Sequence, residues 1–224
     1  MNNIKVKLVA DSGINVFIDA VRTCWDSHNK CDTNGDNVGE NDKVLIDRIV
    51  HKHKHHSTLE HLFYNFEITG ISRLCLQELA RHRMASFSVK STRYTLKELK
   101  GSNVSTLEDA SKFIVLTGIE LVDNASHKNL KELHNLVNTN GITQDYAKYC
   151  LPECYRTSLR FSLNARSLRN LLELRLAKGA HFEIRYLAKL LYKSLPDLHK
   201  ELIFNDLEPL CRSQIYWFLK FNIL

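Results

Sequence analysis

Apolar and polar residues alternate over residues 4–9 (IKVKLV), which predicts a short edge strand. Helical spacing takes over at 14–29, where Val16, Ile18, Ala20 and Val21 supply much of an apolar face. The polar stretch DTNGDNVGEND at 32–42 breaks that pattern and reads as a loop. Val44, Leu45, Ile49 and Val50 then restore helical spacing over 43–52. LFYNFEIT at 62–69 alternates again and carries aromatics, so it predicts a second strand. A helix over 72–83 and an irregular, hydroxyl-rich segment to about residue 95 follow. The second half reads as helices at 106–121, 126–138, 143–150, 164–178, 180–194 and 197–220. Without an internal repeat or a low-complexity linker, the expectation is one α+β domain over residues 1–224, a small sheet among many helices.

Composition narrows the class. The chain of 224 residues is 44% hydrophobic and 25% charged, ordinary globular values that exclude disordered and collagen-like chains. Only 8 Gly and 3 Pro argue for long helices rather than a turn-rich β fold. No apolar run approaches the roughly 18 residues that span a bilayer. The opening MNNIKVKLVADSG is charged where a signal peptide needs apolar residues, so a cytoplasmic protein with no membrane partner is expected. The six cysteines, at 24, 31, 75, 150, 154 and 211, form no C-x-x-C pair and read as free, mostly buried thiols. A net charge of +6 suggests an anionic partner without choosing between nucleic acid, nucleotide and acidic lipid.

Two motifs suggest metals and lack the means to hold them. Asp32, Asn34 and Asp36 alternate like calcium ligands, but Asn37 replaces the glycine of the sharp turn and Lys43 the bidentate carboxylate. Five of the eleven histidines fall at 51–61, with His51 and His55 at i,i+4. Lys52 and Lys54 add positive charge to that cluster, so it reads either as a solvated basic helix end or as a neighbour of an anionic ligand. No metal is expected. There is no G-x-G-x-x-G and no G-x-x-x-x-G-K-[ST], so a dinucleotide here would not be held on a glycine-rich turn.

The positive charge is concentrated. From Leu79 to Lys97 there is no acidic residue, yet Arg81, Arg83, Lys90, Arg93, Lys97 and His82 fall there among Ser86, Ser88, Ser91 and Thr92. Guanidinium forks beside small hydroxyls suit a phosphate. Leu76, Leu79, Ala80 and Arg83 share helical spacing, which puts Arg83 on an apolar stripe and calls for an anionic partner. A second acid-free window, Cys154 to Leu172, holds Arg156, Arg160, Arg166 and Arg169. Leu168, Leu171, Leu172 and Arg175 repeat the spacing, with Arg166 and Asn170 on the adjoining face. Two helices presenting arginine from apolar faces suggest a closed pocket for an anionic small molecule. The alternatives are structural salt bridges, a basic helical module that binds nucleic acid through these windows, and a metal hydrolase built on the histidines.

Arg81-His82-Arg83, seven further residues, Ser91 and then Arg93-Tyr94 resemble the signature of flavin-dependent thymidylate synthases. His55-His56-Ser57-Thr58-Leu59-Glu60-His61 is similar to that family's histidine segment. Gly70-Ile71-Ser72-Arg73, Gln77-Glu78-Leu79, Leu151-Pro152, Asn164-Ala165-Arg166-Ser167-Leu168, Asn170, Leu174-Arg175 and Glu183-Ile184 follow in the family's order. The blocks cover about residues 43–97 and 146–190.

The resemblance implies methylation of dUMP to dTMP, with methylenetetrahydrofolate as carbon donor, FAD as redox carrier, NADPH as reductant and no enzyme thiol nucleophile. It implies an α+β fold with a mixed sheet, and a homotetramer whose flavin sites draw on several subunits. By position, Arg175 becomes the catalytic residue, stabilising the ionised pyrimidine. His55, Ser57, Arg81, His82, Arg83, Asn164, Arg166 and Asn170 become FAD ligands. Glu78, Leu79, Ala80, Arg81, Val89, Lys90, Ser91, Thr92, Arg93, Lys148 and Arg175 become dUMP ligands, with Ser91 a positioning hydroxyl. The partners are then dUMP and the two co-substrates, with no nucleic acid. Val89 departs from the Glu or Gln of many relatives, Lys148 from their Arg, and Gly179 and His181 from their His and Gln. The terminal IYWFLKFNIL (215–224) reads as an oligomer contact or a docked helix.

Overall fold

The computed structural model describes residues 4–35, 37–208 and 210. Its sheet has the order β1-β2-β4-β3, from β1 (Lys5–Asp11), β2 (Phe63–Ser72), β3 (Ala85–Val89) and β4 (Arg156–Asn164). β1 is an edge strand, as its short alternation predicts. The sheet is antiparallel rather than mixed. β2 and β3 are joined through a helix, but β4 arrives from late in the chain and inserts between them, so no two neighbours run the same way.

Neither β3 nor β4 is among the strands expected from the sequence. β4 carries a clean period of two, with Thr157, Leu159, Phe161 and Leu163 buried, so its signal was present. β3 begins only five residues after α3 (Arg73–Ala80) ends, because the chain must turn to reach β4. The helix expected over 72–83 therefore stops at Ala80, and Arg83 stands in the turn, exposed, instead of on an apolar stripe.

The other helices are α1 (Ile14–Cys24), α2 (Glu40–Asp47), α4 (Thr92–Thr95), α5 (Leu107–Ala110), α6 (Glu120–Asn138), α7 (Gln144–Ala147), α8 (Ala165–Arg175), α9 (Phe182–Lys193) and α10 (Asp197–Ile203). The helix expected at 106–121 is broken because Gly118 takes φ +84° and the Asp123 carboxylate accepts the N–H groups of Thr117 and Gly118 at 2.7 and 2.9 Å. α1 stops at Cys24, well short of 29, as Asp26 turns to φ +42°. The helix expected over 197–220 ends at Ile203, and the 215–224 run lies outside the described residues.

The chain divides into two compact units, and β2 and β4 contribute residues to both. The first unit holds Lys5, Ile68–Arg81 and Phe87–Arg160; its core is Leu96, Leu99, Ala110, Ile114, Leu130, Leu133 and Tyr155. The second holds Val6–Glu67, His82–Ser86 and the described chain from Phe161 onward; Phe17, Ile46, Leu59, Phe66, Leu168, Leu172 and Phe204 are buried in it. The supposed calcium loop is closed by Asp32, which accepts the N–H groups of Asn41 and Asp42 at 2.9 and 3.0 Å; Asp36 lies outside the described residues. Asp42, fully buried, pairs with Arg22 at 2.6 Å and accepts from Thr33 Oγ1 at 2.7 Å.

The cysteines are free, but only Cys75 is buried; Cys24, Cys31 and Cys150 are exposed and Cys154 is intermediate, with Cys211 outside the described residues. The three exposed ones sit in a loop or at helix ends, and the Cys31 thiol donates to Asp42 at 3.3 Å. Among the described residues no helix is long and apolar enough to cross a membrane.

Candidate active site

The expected site residues fall into two sets that follow the two units. Glu78, Leu79, Ala80, Arg81, Val89, Lys90, Ser91, Thr92, Arg93 and Lys148 belong to the first. His55, Ser57, His82, Arg83, Asn164, Arg166, Asn170 and Arg175 belong to the second. Each set has its own geometry.

In the first unit, α3 is launched by Ser72, whose hydroxyl accepts the Cys75 N–H at 3.0 Å. The helix buries Leu79 completely, so that residue is core and can offer a ligand only backbone. Glu78 faces Arg81 at 3.9 Å, and the Arg81 side chain is 74% exposed. Arg93 and Lys148 lie 55 positions apart in the chain, and α4 packing on α7 brings both to one carboxylate. Arg93 Nε stands 3.3 Å from Asp145 and Lys148 Nζ donates to it at 3.2 Å. Asp145 occupies the position of an anion between two cations, and sequence reasoning missed it; its i,i+3 spacing to Lys148 was the available signal.

Beside this cluster is a cleft of about 380 Å³ lined by Arg93, Tyr94, Lys97, Lys100, Gln144 and Asp145, with Val137 and Ile142 among its apolar walls. The side-chain oxygen of Gln144 is buried with no hydrogen-bond partner. Ser91 is exposed, and its hydroxyl caps nothing. Lys90 instead donates to Glu98 at 2.5 Å, and its backbone N–H bonds Ser158 at 2.8 Å.

In the second unit the framework is α8. Asn164 closes β4 and caps the helix, its side chain accepting the Ser167 N–H at 2.8 Å. Arg166 and Asn170 share the exposed face, and Arg166 Nη1 donates to Glu60 at 2.5 Å. That bond ties the 56–61 turn, with exposed Ser57, to the start of α8. At about 100° per residue, Arg175 is about half a turn round from Arg166. The two therefore lie on opposite faces rather than adjoining ones.

Arg175 continues the stripe of Leu168, Leu171 and Leu172, all fully buried, and is half-buried itself as the last residue of the helix. Its Nε donates to His82 Nε2 at 3.0 Å. An arginine is always protonated, so His82 accepts here as a neutral ring with its proton on Nδ1. Six residues on, His181 Nδ1 is buried without a hydrogen-bond partner.

The histidine cluster does not share a helix face. The helix gives way to a wider turn at Arg48–Lys52, and Lys54 takes φ +53°. His51 Nε2 lies 3.1 Å from the Leu202 carbonyl and His56 Nε2 lies 3.0 Å from that of Val50. His53 and His55 stack at 5.5 Å, both exposed. Among the described residues, no three His, Cys, Asp or Glu side chains are grouped to hold a metal.

The second acid-free window is largely structural. Arg156 donates to the carbonyls of Ser111, Ile114 and Gly70 at 2.8, 3.0 and 2.9 Å. Arg169, only 4% exposed, grips both oxygens of Asp206 at 2.9 and 2.6 Å.

The chain is similar to known proteins. A family model described as "Thymidylate synthase complementing protein" matches residues 7–199. A protein of Campylobacter jejuni named flavin-dependent thymidylate synthase is 52% identical over 199 residues, covering 88% of this chain and 94% of that one. One of Helicobacter pylori with the same name is 46% identical over 199 residues, covering 86% and 93%. A crystal structure of thymidylate synthase X from Helicobacter pylori with FAD and dUMP superposes with a TM-score of 0.84 at 44% identity, covering 91% of this chain and 99% of that chain.

Proposed function

Because the chain belongs to the family of flavin-dependent thymidylate synthases, we propose that it methylates dUMP to dTMP at a site whose catalytic charge is the Arg175 guanidinium. It is an enzyme with FAD as its cofactor. In the proposed reaction methylenetetrahydrofolate gives the carbon, and two electrons from NADPH bring it from methylene to methyl. The nucleic-acid reading is not favoured.

The observation that carries the proposal is the hydrogen bond from Arg175 Nε to His82. A guanidinium at the end of a buried stripe, its Nε edge oriented by a neutral ring, is a fixed cation in a poorly solvated place. Such a fixed cation stabilises negative charge that develops on a pyrimidine ring better than a mobile solvated one does. In the proposed binding mode Arg93 and Lys148 hold the dUMP phosphate, which replaces Asp145 as their anion. Lys148 supplies charge but not the bidentate fork of an arginine. Glu78, Arg81, Ser91, Thr92 and Lys90, with the backbone of Leu79, Ala80 and Val89, complete the substrate set.

The second unit fits a flavin dinucleotide. Arg83, Arg166 and Asn170 are exposed donors suited to a pyrophosphate, and Ser57 is tied next to α8. His55, His82 and Asn164 complete the second unit's share of the FAD set, and Arg81 of the first unit is the remaining proposed ligand. His181 offers a buried nitrogen that lacks a partner. Bound FAD supplies the hydride capacity that these side chains lack. That Arg166 and Arg175 point to opposite sides of one helix supports sites completed by more than one chain, in a homotetramer. A cytoplasmic location belongs to the same proposal, and five free cysteines suit a reducing compartment.

The test measures dUMP-dependent NADPH oxidation together with dTMP formation. Wild type is expected to couple the two. Arg175→Ala is expected to retain flavin and lose dTMP formation by about a hundred- to a thousandfold, the scale for removing a preorganised charge-stabilising group. Near-normal turnover in that variant would refute the role.

A further inference from the structure

The first unit contains a second basic cleft, which shares only Lys90 with the substrate set proposed above. It is about 370 Å³, within the usual range for small-molecule sites. Four cations line it, Lys5, Lys90, Lys112 and Arg156, against one carboxylate, Glu98. Four hydroxyl side chains line it as well: Thr69, Ser111, Thr157 and Ser158.

Two features mark it as built for an anion. Arg156 is locked by the carbonyls of Gly70, Ser111 and Ile114, so a permanent positive charge is fixed in the wall before any ligand arrives. Thr157 is only 2% exposed, and its hydroxyl has no hydrogen-bond partner, the kind of buried polar atom a folded chain pairs when it can. The carboxylate is already engaged: Glu98 accepts from Lys90 Nζ at 2.5 Å and from the Tyr155 hydroxyl at 2.9 Å. Lys112 reaches out to Asp109 at 3.0 Å and is 65% exposed, so it is free to swing.

We propose that this cleft binds a phosphoryl group, a dianionic tetrahedral oxyanion, at a site separate from that of dUMP. Arg156 supplies fixed charge, Lys5 and Lys112 close over the anion, and Thr157 donates its hydroxyl to it. Free phosphate and the phosphate of a nucleotide share this chemistry, and Phe113 in the wall leaves room for a ring beside it.

The experiment titrates inorganic phosphate, AMP and adenosine into FAD-loaded enzyme saturated with dUMP, at constant ionic strength, by calorimetry. One saturable phosphate or AMP site per chain is expected, with adenosine silent. Tighter AMP than phosphate identifies a nucleotide ligand; equal affinity identifies free phosphate. The dissociation constant is expected to rise about tenfold or more in Lys5→Gln/Lys112→Gln, from the loss of two charge-assisted contacts. The flavin absorbance change on adding dUMP is expected to persist in that variant. Thr157→Val should weaken phosphate while leaving the melting temperature unchanged or higher, since it removes an unpaired hydroxyl. No binding in the presence of dUMP, or binding that neither the double variant nor Thr157→Val weakens, would overturn the proposal. Should the double variant fail to fold, Lys112→Gln alone gives the same comparison.

Discussion

Replacing His82 isolates what holding Arg175 contributes. In His82→Ala the Arg175 Nε loses an acceptor 3.0 Å away, at a place where both side chains are half-buried. A hydrogen bond to a charged group contributes about 1.5–3 kcal/mol. If that whole term acts on the transition state, kcat falls about 10- to 150-fold. His82→Gln restores an acceptor oxygen and should return kcat to within about tenfold of wild type. The assay is single-turnover dTMP formation at saturating FAD and dUMP, so that weaker cofactor binding does not enter the rate. Binding is followed separately through the flavin absorbance. A His82→Ala enzyme with unchanged kcat under those conditions would show that Arg175 does not need its imidazole. A Gln variant as slow as the Ala variant would show that something other than the acceptor matters.

Ser91→Ala removes an exposed hydroxyl that caps nothing, so it is expected to raise the KM for dUMP several-fold, worth about 1 kcal/mol, with kcat nearly kept. A loss in kcat as large as that of Arg175→Ala would make Ser91 more than a positioning group. Asp42 gives a pH prediction. Burial pushes its carboxyl up, but hydrogen bonds from Thr33, Arg22, Cys31 and the Asp32 backbone outweigh it and hold the pKa at about 2, below the usual 3.8. A depressed carboxylate stabilises the fold above its unfolded pKa and stops doing so as pH falls through the folded one. Stability on the order of 2 kcal/mol should therefore drain away between about pH 4 and pH 2. Urea unfolding should show a shallower acid dependence for Asp42→Asn than for wild type; equal slopes would refute the assignment.

The edge strand at the start was legible from its alternation, and the strand at 62–69 and the helices expected at 14–29, 126–138, 164–178 and 180–194 because each buries one face with its own period, though their ends differ. β4 carries the same signal, but Arg156 and Arg160 within it read as charge and mask the period of two. β3 was not legible. Its short run ASFSV buries none of its residues fully, so only pairing to β4 makes it a strand. The same pairing ended α3 early and moved Arg83 off its stripe. Long-range contacts overrode local spacing at both places. On α8, which ends at Arg175 rather than at 178, the buried leucine stripe does run on to Arg175.

The acid-free windows teach the same lesson about charge. An absence of acidic neighbours in sequence suits a waiting ligand and a distant salt bridge equally. Asp206 reaches Arg169 from 37 positions away and Glu60 reaches Arg166 from 106, and Arg156 donates to three backbone carbonyls. Sequence windows cannot count partners that folding brings in. What distinguishes Arg175 is therefore the kind of partner that orients it. A carboxylate on Nε would fix the guanidinium and offset its charge together. The neutral ring of His82 fixes Nε without bringing a counter-charge to that edge, and a fixed cation is what stabilisation of an anionic pyrimidine requires.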